Sequence, residues 1–482
     1  MSSFTISKAL NPNKVFILQK SELEKRFDPF YYVPEIVELE KKVLEKQPKK
    51  LRNYVLGMAS GATPKTTESE KYYAEKENGI PFLRVQNLSP TGILEFEDCK
   101  YINEETHTSM LKRSQISEGD LLVKITGVGR MAVASVVPEN FVGNINQHVC
   151  VIKTESKEIS ETLAAFLNTD IGEKLASRRA TGGTRPALDY PALLSIPIIE
   201  DSRILEITKK VVEQKKQNEA EAERLLLGID NYLLNELGIK LPLSPKNQLS
   251  ERKYIKAISE LSGKRLDPFY YWTHFDSLIE SINNCNFSSI QISDISQQVD
   301  TGRTPAKKDY ADEDTVNGIK IVKAGSYTGD LIDFNKCDYA YSDFKGNEVR
   351  HGDIFILGAA HQPEYVGTKV YYLADDFQEK VFFVGELVRI SVNSAKFNSL
   401  FLFSLLKTGL YAKLLNREKR GQTSHLYPND VKRVIIPNPP IDTQNAIANH
   451  ILEIRKQAQD LKDKTKDLLA TASKEIEKIL IG

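Results

Sequence analysis

Two short stretches of this chain carry side chains suited to binding nucleic acid. Lys174, Arg178, Arg179 and Arg185 fall within twelve residues that hold no acid, around Ala180-Thr181-Gly182-Gly183-Thr184. The second stretch holds Lys413, Arg417, Lys419 and Arg420 and runs into Gly421-Gln422-Thr423-Ser424-His425. Glycine lets backbone N–H groups and guanidinium forks come close to phosphate, while Gln, Thr, Ser and His reach base edges. A solvated helix end beside a turn has the same composition, but two such loops at matching places favour a site. Further candidates lie on turns between expected strands: Lys124, Thr126 and Arg130 with Asn146, Gln147 and His148 in the first half, and His361, Gln362 and Lys369 in the second. Each of these is equally well an ordinary loop residue.

Other chemistries lack essential members. Asn438-Pro439-Pro440-Ile441 imitates the base-holding loop of adenine methylases, but the stacking aromatic is missing and no Gly-rich cofactor loop accompanies it. The segment reads better as a rigid lead-in to a helix. Glu251-Arg252-Lys253 has the spacing of a nuclease Glu-x-Lys, yet such triplets arise by chance in a chain with 65 acids and 65 bases. No GxxxxGK[ST] is present, Gly127-Val128-Gly129 lacks the rest of a phosphate loop, and the seven histidines show no metal spacing. The expectation is a chain without a catalytic set, a metal or a cofactor.

With 482 residues, 41% hydrophobic and 27% charged, the chain is long enough for about three domains with real cores. Its formal net charge of zero argues against a histone-like protein, so any grip on nucleic acid comes from local patches. Cys99, Cys150, Cys285 and Cys337 form no CxxC and suggest a reducing compartment. Met1 to Lys8 has no apolar leader, and no run of about 18 apolar residues occurs, so a cytoplasmic protein without a membrane span is expected.

The elements that must position the loops occur twice. Arg26-Phe27-Asp28-Pro29-Phe30-Tyr31-Tyr32 returns as Arg265-Leu266-Asp267-Pro268-Phe269-Tyr270-Tyr271, 239 positions later. Gly61-Ala62-Thr63-Pro64 answers to Gly302-Arg303-Thr304-Pro305, Cys99-Lys100-Tyr101 to Cys337-Asp338-Tyr339, Gly119-Asp120 to Gly352-Asp353, and Gly182-Gly183-Thr184 to Gly421-Gln422-Thr423. Preserved order with a slightly drifting offset indicates a tandem duplication of a unit of about 240 residues. Between landmarks the halves differ: Val123 to Arg130 faces Ile356 to Pro363 with shared apolar framing and different polar residues. Runs such as Val133 to Val137, Val149 to Ile152, Ile319 to Val322, Lys369 to Leu373 and Leu387 to Val392 read as strands. Each half therefore opens with a mixed α/β domain. An Asp cannot favourably approach phosphate, so the Asp-Pro-Phe-Tyr-Tyr element is expected to be structural or to face a protein partner.

Each half closes in a long helix. From Thr443 to Ile481 there is no Gly or Pro, and Ile447, Ile451, Ile454, Ala458, Leu461, Thr465, Leu468 and Ala472 alternate steps of four and three, as a coiled-coil seam does. In the first half Ile204, Ile207 and Val211 open a similar seam and Ala222, Leu226, Ile229, Leu233 and Leu237 close it, with polar Glu213 to Glu219 between. Asp201 and Asp442 are expected N-caps, and Gly238 ends the first helix. The economical arrangement pairs the two helices antiparallel about a pseudo-two-fold axis, as against two independent surface helices. About 36 residues span roughly 54 Å, more than one DNA turn, so such a pair would act as a ruler. The boundaries read as 1–200 and 242–440 for two globular domains, 201–241 and 441–482 for the helices.

These features resemble the DNA-specificity subunits of type I restriction-modification systems. The resemblance rests on the duplicated Arg-Phe/Leu-Asp-Pro-Phe-Tyr-Tyr element, the Gly-x-Thr-Pro and later Gly-x-Thr of each half, and an Ile-Pro (Ile196-Pro197, Ile436-Pro437) before each long helix. It covers essentially the whole chain. Ile198-Ile199-Glu200 departs from it, standing where the second half has Pro439-Pro440. The resemblance implies a non-catalytic subunit whose two target recognition domains read the halves of a split double-stranded DNA site. It also implies coils that bind two modification (methyltransferase) subunits and, through them, restriction (helicase-nuclease) subunits. A coiled-coil scaffold that binds proteins and not DNA is the alternative.

Overall fold

Each half builds its core on one strand that is buried on both sides. In the computed structural model, which describes residues 10–24, 26–96, 98–246, 253–261, 265–313, 315–374 and 377–482, these strands are Leu121–Lys124 and Ile354–Leu357. Alternate side chains leave opposite faces of a strand. Leu121 and Val123 therefore join a core with the helices, while Leu122 joins a second core between sheets. Ile354 and Ile356 likewise face helices, and Phe355 and Leu357 face the other sheet. Met1 to Lys8 and the Glu251-Arg252 pair lie outside the described residues.

The chain divides into two compact units, one of residues 1–219 with 462–482, the other of residues 220–461. In the first, Gly57–Ser60, Val149–Lys153, Leu121–Lys124 and Ala134–Val136 form an antiparallel sheet in that order. A second sheet orders Lys100–Ile102, Ile80–Leu83, Gly143–Ile145 and Gln115–Ile116, with the middle two parallel. The helices Lys157–Leu167 and Asp170–Arg179 cover the first sheet through Leu163, Phe166 and Leu175. The second unit has a six-stranded sheet in which Leu387–Val392 lies between Ser296–Thr301 and Ile354–Leu357. Its four-stranded sheet sets Ile319–Val322 parallel to Val381–Phe383. Helices Ser399–Lys407 and Gly409–Arg417 cover the larger sheet. The architecture is mixed α/β.

The long helices run Ser202–Leu237 and Ile441–Ile481, with no break at the polar stretch Glu213 to Glu219. Asp201 caps the first, accepting from Arg203 N at 3.0 Å. Asp442, expected as a cap, is instead a first-turn residue, because the helix begins one position earlier at Ile441. Gly238, at φ +70°, ends the first helix: its N–H donates to Asn235 O at 3.0 Å and that of Ile239 to Leu234 O at 2.8 Å.

Within the second unit Ile229, Leu233 and Leu237 share a core with Ile447 and Ile451, and the rings of Tyr232 and His450 lie 4.4 Å apart. Within the first unit Ile204 shares a core with Ile476 and Leu480, so the seam of the second helix runs beyond Ala472. Asn218 donates to the Thr465 hydroxyl at 3.0 Å, which accommodates the polar stretch. Among the described residues no helix is long and apolar enough to cross a membrane.

Candidate nucleic-acid interface

The duplicated Arg-x-Asp-Pro-Phe-Tyr-Tyr element fixes the helix that leads into each glycine loop. Asp28 caps the turn Pro29–Tyr32 by accepting from Tyr31 N at 3.2 Å, and Asp267 does the same for Tyr270 N at 3.0 Å. Arg26 is held by Asp28 at 2.8 Å and donates to the carbonyls of Arg179 at 3.0 Å and Ala180 at 2.8 Å. Those carbonyls end the helix Asp170–Arg179 and have no partner inside it, so a cation is well placed there. In the second unit Arg265 donates to the carbonyls of Arg417, Glu418 and Lys419. Tyr31 lies against two guanidiniums, Arg26 at 4.5 Å and Arg178 at 4.1 Å, and Tyr270 against Arg265 at 4.0 Å and Arg417 at 4.1 Å. The element is a clasp on a helix end.

Beyond the clasp, three loops converge in each unit. In the first, Thr181 and Ala187 exchange backbone hydrogen bonds of 2.8 Å around Gly182, which has φ +100°. Ala187 also bridges to Thr126, and Leu188 N donates to Ile125 O at 2.8 Å. Gly61 comes so close to Ile145 that an added Cβ would overlap its carbonyl, and the neighbouring Thr63 hydroxyl donates to Gln147. In the second, Arg420 and His425 exchange backbone hydrogen bonds of 2.9 Å around Gly421 at φ +95°, and His425 bridges to Ala359. Gly302 meets Phe383 as Gly61 meets Ile145. The Gly-x-Thr-Pro loop, the turn after the central strand and the glycine loop thus meet on one surface of each unit.

The structure sorts the expected contact residues. Thr181, Gly182, Thr184, Arg185 and Gln147 are exposed, with His148 half-buried beside them. Burial, then the charge of Arg185, holds the His148 pKa below its usual value. In the second unit His361, Gln362, Arg420, Gln422 and Thr423 are exposed, and Ser424 and His425 are half-buried. Lys369 is exposed over the Tyr365 ring at 5.5 Å, and Arg420 meets Asp430 at 3.1 Å and Tyr427 at 4.9 Å. Thr126 is half-buried in its bridge.

Six basic residues turn inward. Arg178 and Arg179 pair with buried Glu40, and burial lowers both their pKa values. Lys124 is 5% exposed and donates to Val128 O at 2.7 Å, closing its own turn. Arg130 joins Asp170 at 2.7 Å and Asn168 O at 2.5 Å. Arg417 donates to Tyr270 O at 2.9 Å, and Lys419 reaches Asn416 at 2.8 Å. These six were expected from the sequence to reach DNA, and in the structure their charges are committed to the fold. Thr63 and Thr304, from the repeated Gly-x-Thr-Pro, also lie at these loops, Thr63 bonded to Gln147 and Thr304 to Glu386, and none of the three loops' sequence signals pointed to them as contact residues. Among the described residues no group of three or more metal-ligating side chains gathers.

Residues 284–470 match the family model described as the type I restriction modification DNA specificity domain. No curated protein matches. Among solved structures, a chain from work on complex assembly and conformational transition of the type I R-M system is 15% identical, covering 90% of this chain and 97% of that one at a TM-score of 0.48. The HsdS subunit of Thermoanaerobacter tengcongensis is 16% identical, over 90% of this chain and 94% of that one, at 0.35. The S subunit of a type I restriction-modification system from M. genitalium is 10% identical, over 90% and 95%, at 0.41.

Proposed function

We propose that this chain, which resembles the specificity subunit of type I restriction-modification systems and matches their DNA specificity domain over residues 284–470, reads a bipartite, asymmetric site in double-stranded DNA without catalysing a reaction. The observation that carries this reading is the convergence of three loops in each unit, with Arg185 or Arg420 exposed beside a glycine in the left-handed region. Such a surface offers guanidinium forks, hydroxyls, amides and imidazoles at one place, the groups that read base edges. The clasps supply rigid support behind it. Residues 1–200 and 242–440 are then the two target recognition domains, one for each half-site.

The helices 201–241 and 441–482 form the antiparallel spacer of a duplicated, pseudo-two-fold molecule in this reading. The contacts of Asn218 with Thr465, and of Ile229 and Leu233 with Ile447 and Ile451, support antiparallel pairing. The spacer recruits two methyltransferase subunits and, through them, restriction subunits. Exposed aromatic and aliphatic side chains at the same two places of both clasps, Phe27 and Phe30, Leu266 and Phe269, support a protein partner bound twice. Near-zero net charge fits DNA binding that is weak and salt-sensitive until partners add phosphate contacts.

Selection of random duplexes by the full chain, alone and with methyltransferase subunits, tests the reading. A split motif is expected, and Arg185→Ala or Arg420→Ala should each weaken one half-site by about 1–3 kcal/mol. Equal loss at both half-sites would overturn the division of labour, and partners retained with no motif enriched would favour the scaffold alternative. Adding one heptad to each helix should widen the spacer by about 10 Å, roughly 3 base pairs. Methylation mapping with an unchanged spacer would refute the ruler.

A further inference from the structure

Beside the glycine loop of the second unit lies a recess of about 540 Å³ whose rim carries an acid, Glu386. An acid on a DNA-reading surface is costly beside phosphate, and becomes favourable only where it meets a hydrogen-bond donor on a base. The Glu386 carboxylate is preorganised. Its Oε2 accepts from the Thr304 hydroxyl at 2.9 Å, and that oxygen in turn accepts from Gly385 N at 3.0 Å. The backbone is fixed too, since Glu386 O accepts from Gly358 N at 2.8 Å and Ala359 N at 3.1 Å. Lys323, the cation on the same rim, is taken by Asp338. Among the described residues Glu386 has no ion-pair partner, and its second carboxylate oxygen accepts no hydrogen bond. His361 and Thr423, from the other two loops, complete the rim.

The first unit holds different chemistry at the same position. Ile125 N donates to His148 O at 2.9 Å, as Gly358 N donates to Glu386 O, so His148 is the counterpart of Glu386. Its neighbours are Gln147 and Arg185, which offer donors, where the second unit offers an acceptor.

We infer that Glu386, oriented by Thr304, is a specificity-determining residue that accepts a hydrogen bond from the N4 amino group of a cytosine in the half-site of the second unit. The inference rests on the DNA-reading function proposed above. A carboxylate accepts from an amino group and repels the keto oxygens of guanine and thymine; adenine also presents an amino group, but the N7 acceptor beside it repels the second carboxylate oxygen, so cytosine is the base favoured.

Selection from random duplexes, with the full chain and with its methyltransferase complex, reads this directly. The near-isosteric Glu386→Gln can both accept from an amino group and donate to a keto oxygen. It should turn one strict C·G position into a mixed one, lowering discrimination there by roughly tenfold to hundredfold. That position should lie in the half-site weakened by Arg420→Ala, and the other half-site should be unchanged. Thr304→Val should loosen the same position to a lesser degree. A Glu386→Gln motif identical to the wild type overturns the inference and leaves the DNA-reading function intact, as does relaxation at an A·T position or in both half-sites. A wild-type chain that enriches no motif overturns both.

Discussion

Behind the two clasps the same seat holds a carboxylate among arginines, supplied from different positions of the chain. In the first unit Glu40, on the helix Pro34–Glu45, sits between Arg178 and Arg179 and is itself buried. Moving 239 positions along the chain replaces Glu40 by Ile279 and Arg179 by Glu418. The second seat is a recess of about 410 Å³ lined by Ile279, Arg265, Arg417 and Glu418, where the carboxylate meets its arginines only at 3.7 and 3.9 Å. Tyrosine, clasp arginine and capped turn are the same in both. The backbone hydrogen bonds of the clasp therefore define the element, and two different arrangements of buried charge behind it are compatible with it.

The largest effect should come from removing the tight pair. Glu40→Ala leaves two guanidiniums buried without their carboxylate, and should destabilise the first unit by about 3–5 kcal/mol. Denaturant unfolding monitored in that unit measures it, and a loss under about 1 kcal/mol would mean that the two seats are energetically alike. Next come the clasps. Arg26→Ala and Arg265→Ala each remove charged donors from helix-end carbonyls, and each should cost about 1.5–3 kcal/mol per strong bond lost. Hydrogen exchange should quicken at the Thr181 and Arg420 amides, respectively. Unequal losses would show that the charges behind the clasp matter more than the clasp.

The smallest effect concerns Glu418. Burial pushes its carboxyl above the usual carboxylate range, against the pull of Arg417 and then Arg265. A raised folded-state pKa means that stability is fully present below the unfolded value of about 4.3 and is lost as pH rises through the folded one. Glu418→Gln should remove that decline and make the second unit more stable at neutral pH, with little change near pH 4. Unfolding curves between pH 4 and 8 check this. A variant less stable at pH 7 would show that the arginine pairs outweigh burial.

Much of the fold was legible because it depends on local pattern. The strands Ile319–Val322 and Leu387–Val392 stand where their apolar runs are, and the Gly238 stop is a backbone conformation that glycine adopts readily. The clasp was half legible: its repetition is plain in the sequence, but its target, the carbonyls of Arg179 and Ala180, lies 153 and 154 positions away. The candidate site was legible as loops, while the exposure of its individual residues was not. Arg178 and Arg185 look alike in a basic stretch, yet one faces Glu40 and the other solvent.

By itself the sequence determined the duplicated order, the helix lengths, the two glycine loops and the zero net charge, because spacing, periodicity and composition are properties of a line of residues. Only the tertiary structure decided which cations stay exposed and which pair within the fold. It also decided that the Gly-x-Thr-Pro loop joins the other two, setting Thr304 against Glu386 across 82 positions. Burial and pairing depend on neighbours brought together by folding, and a residue's type does not report them.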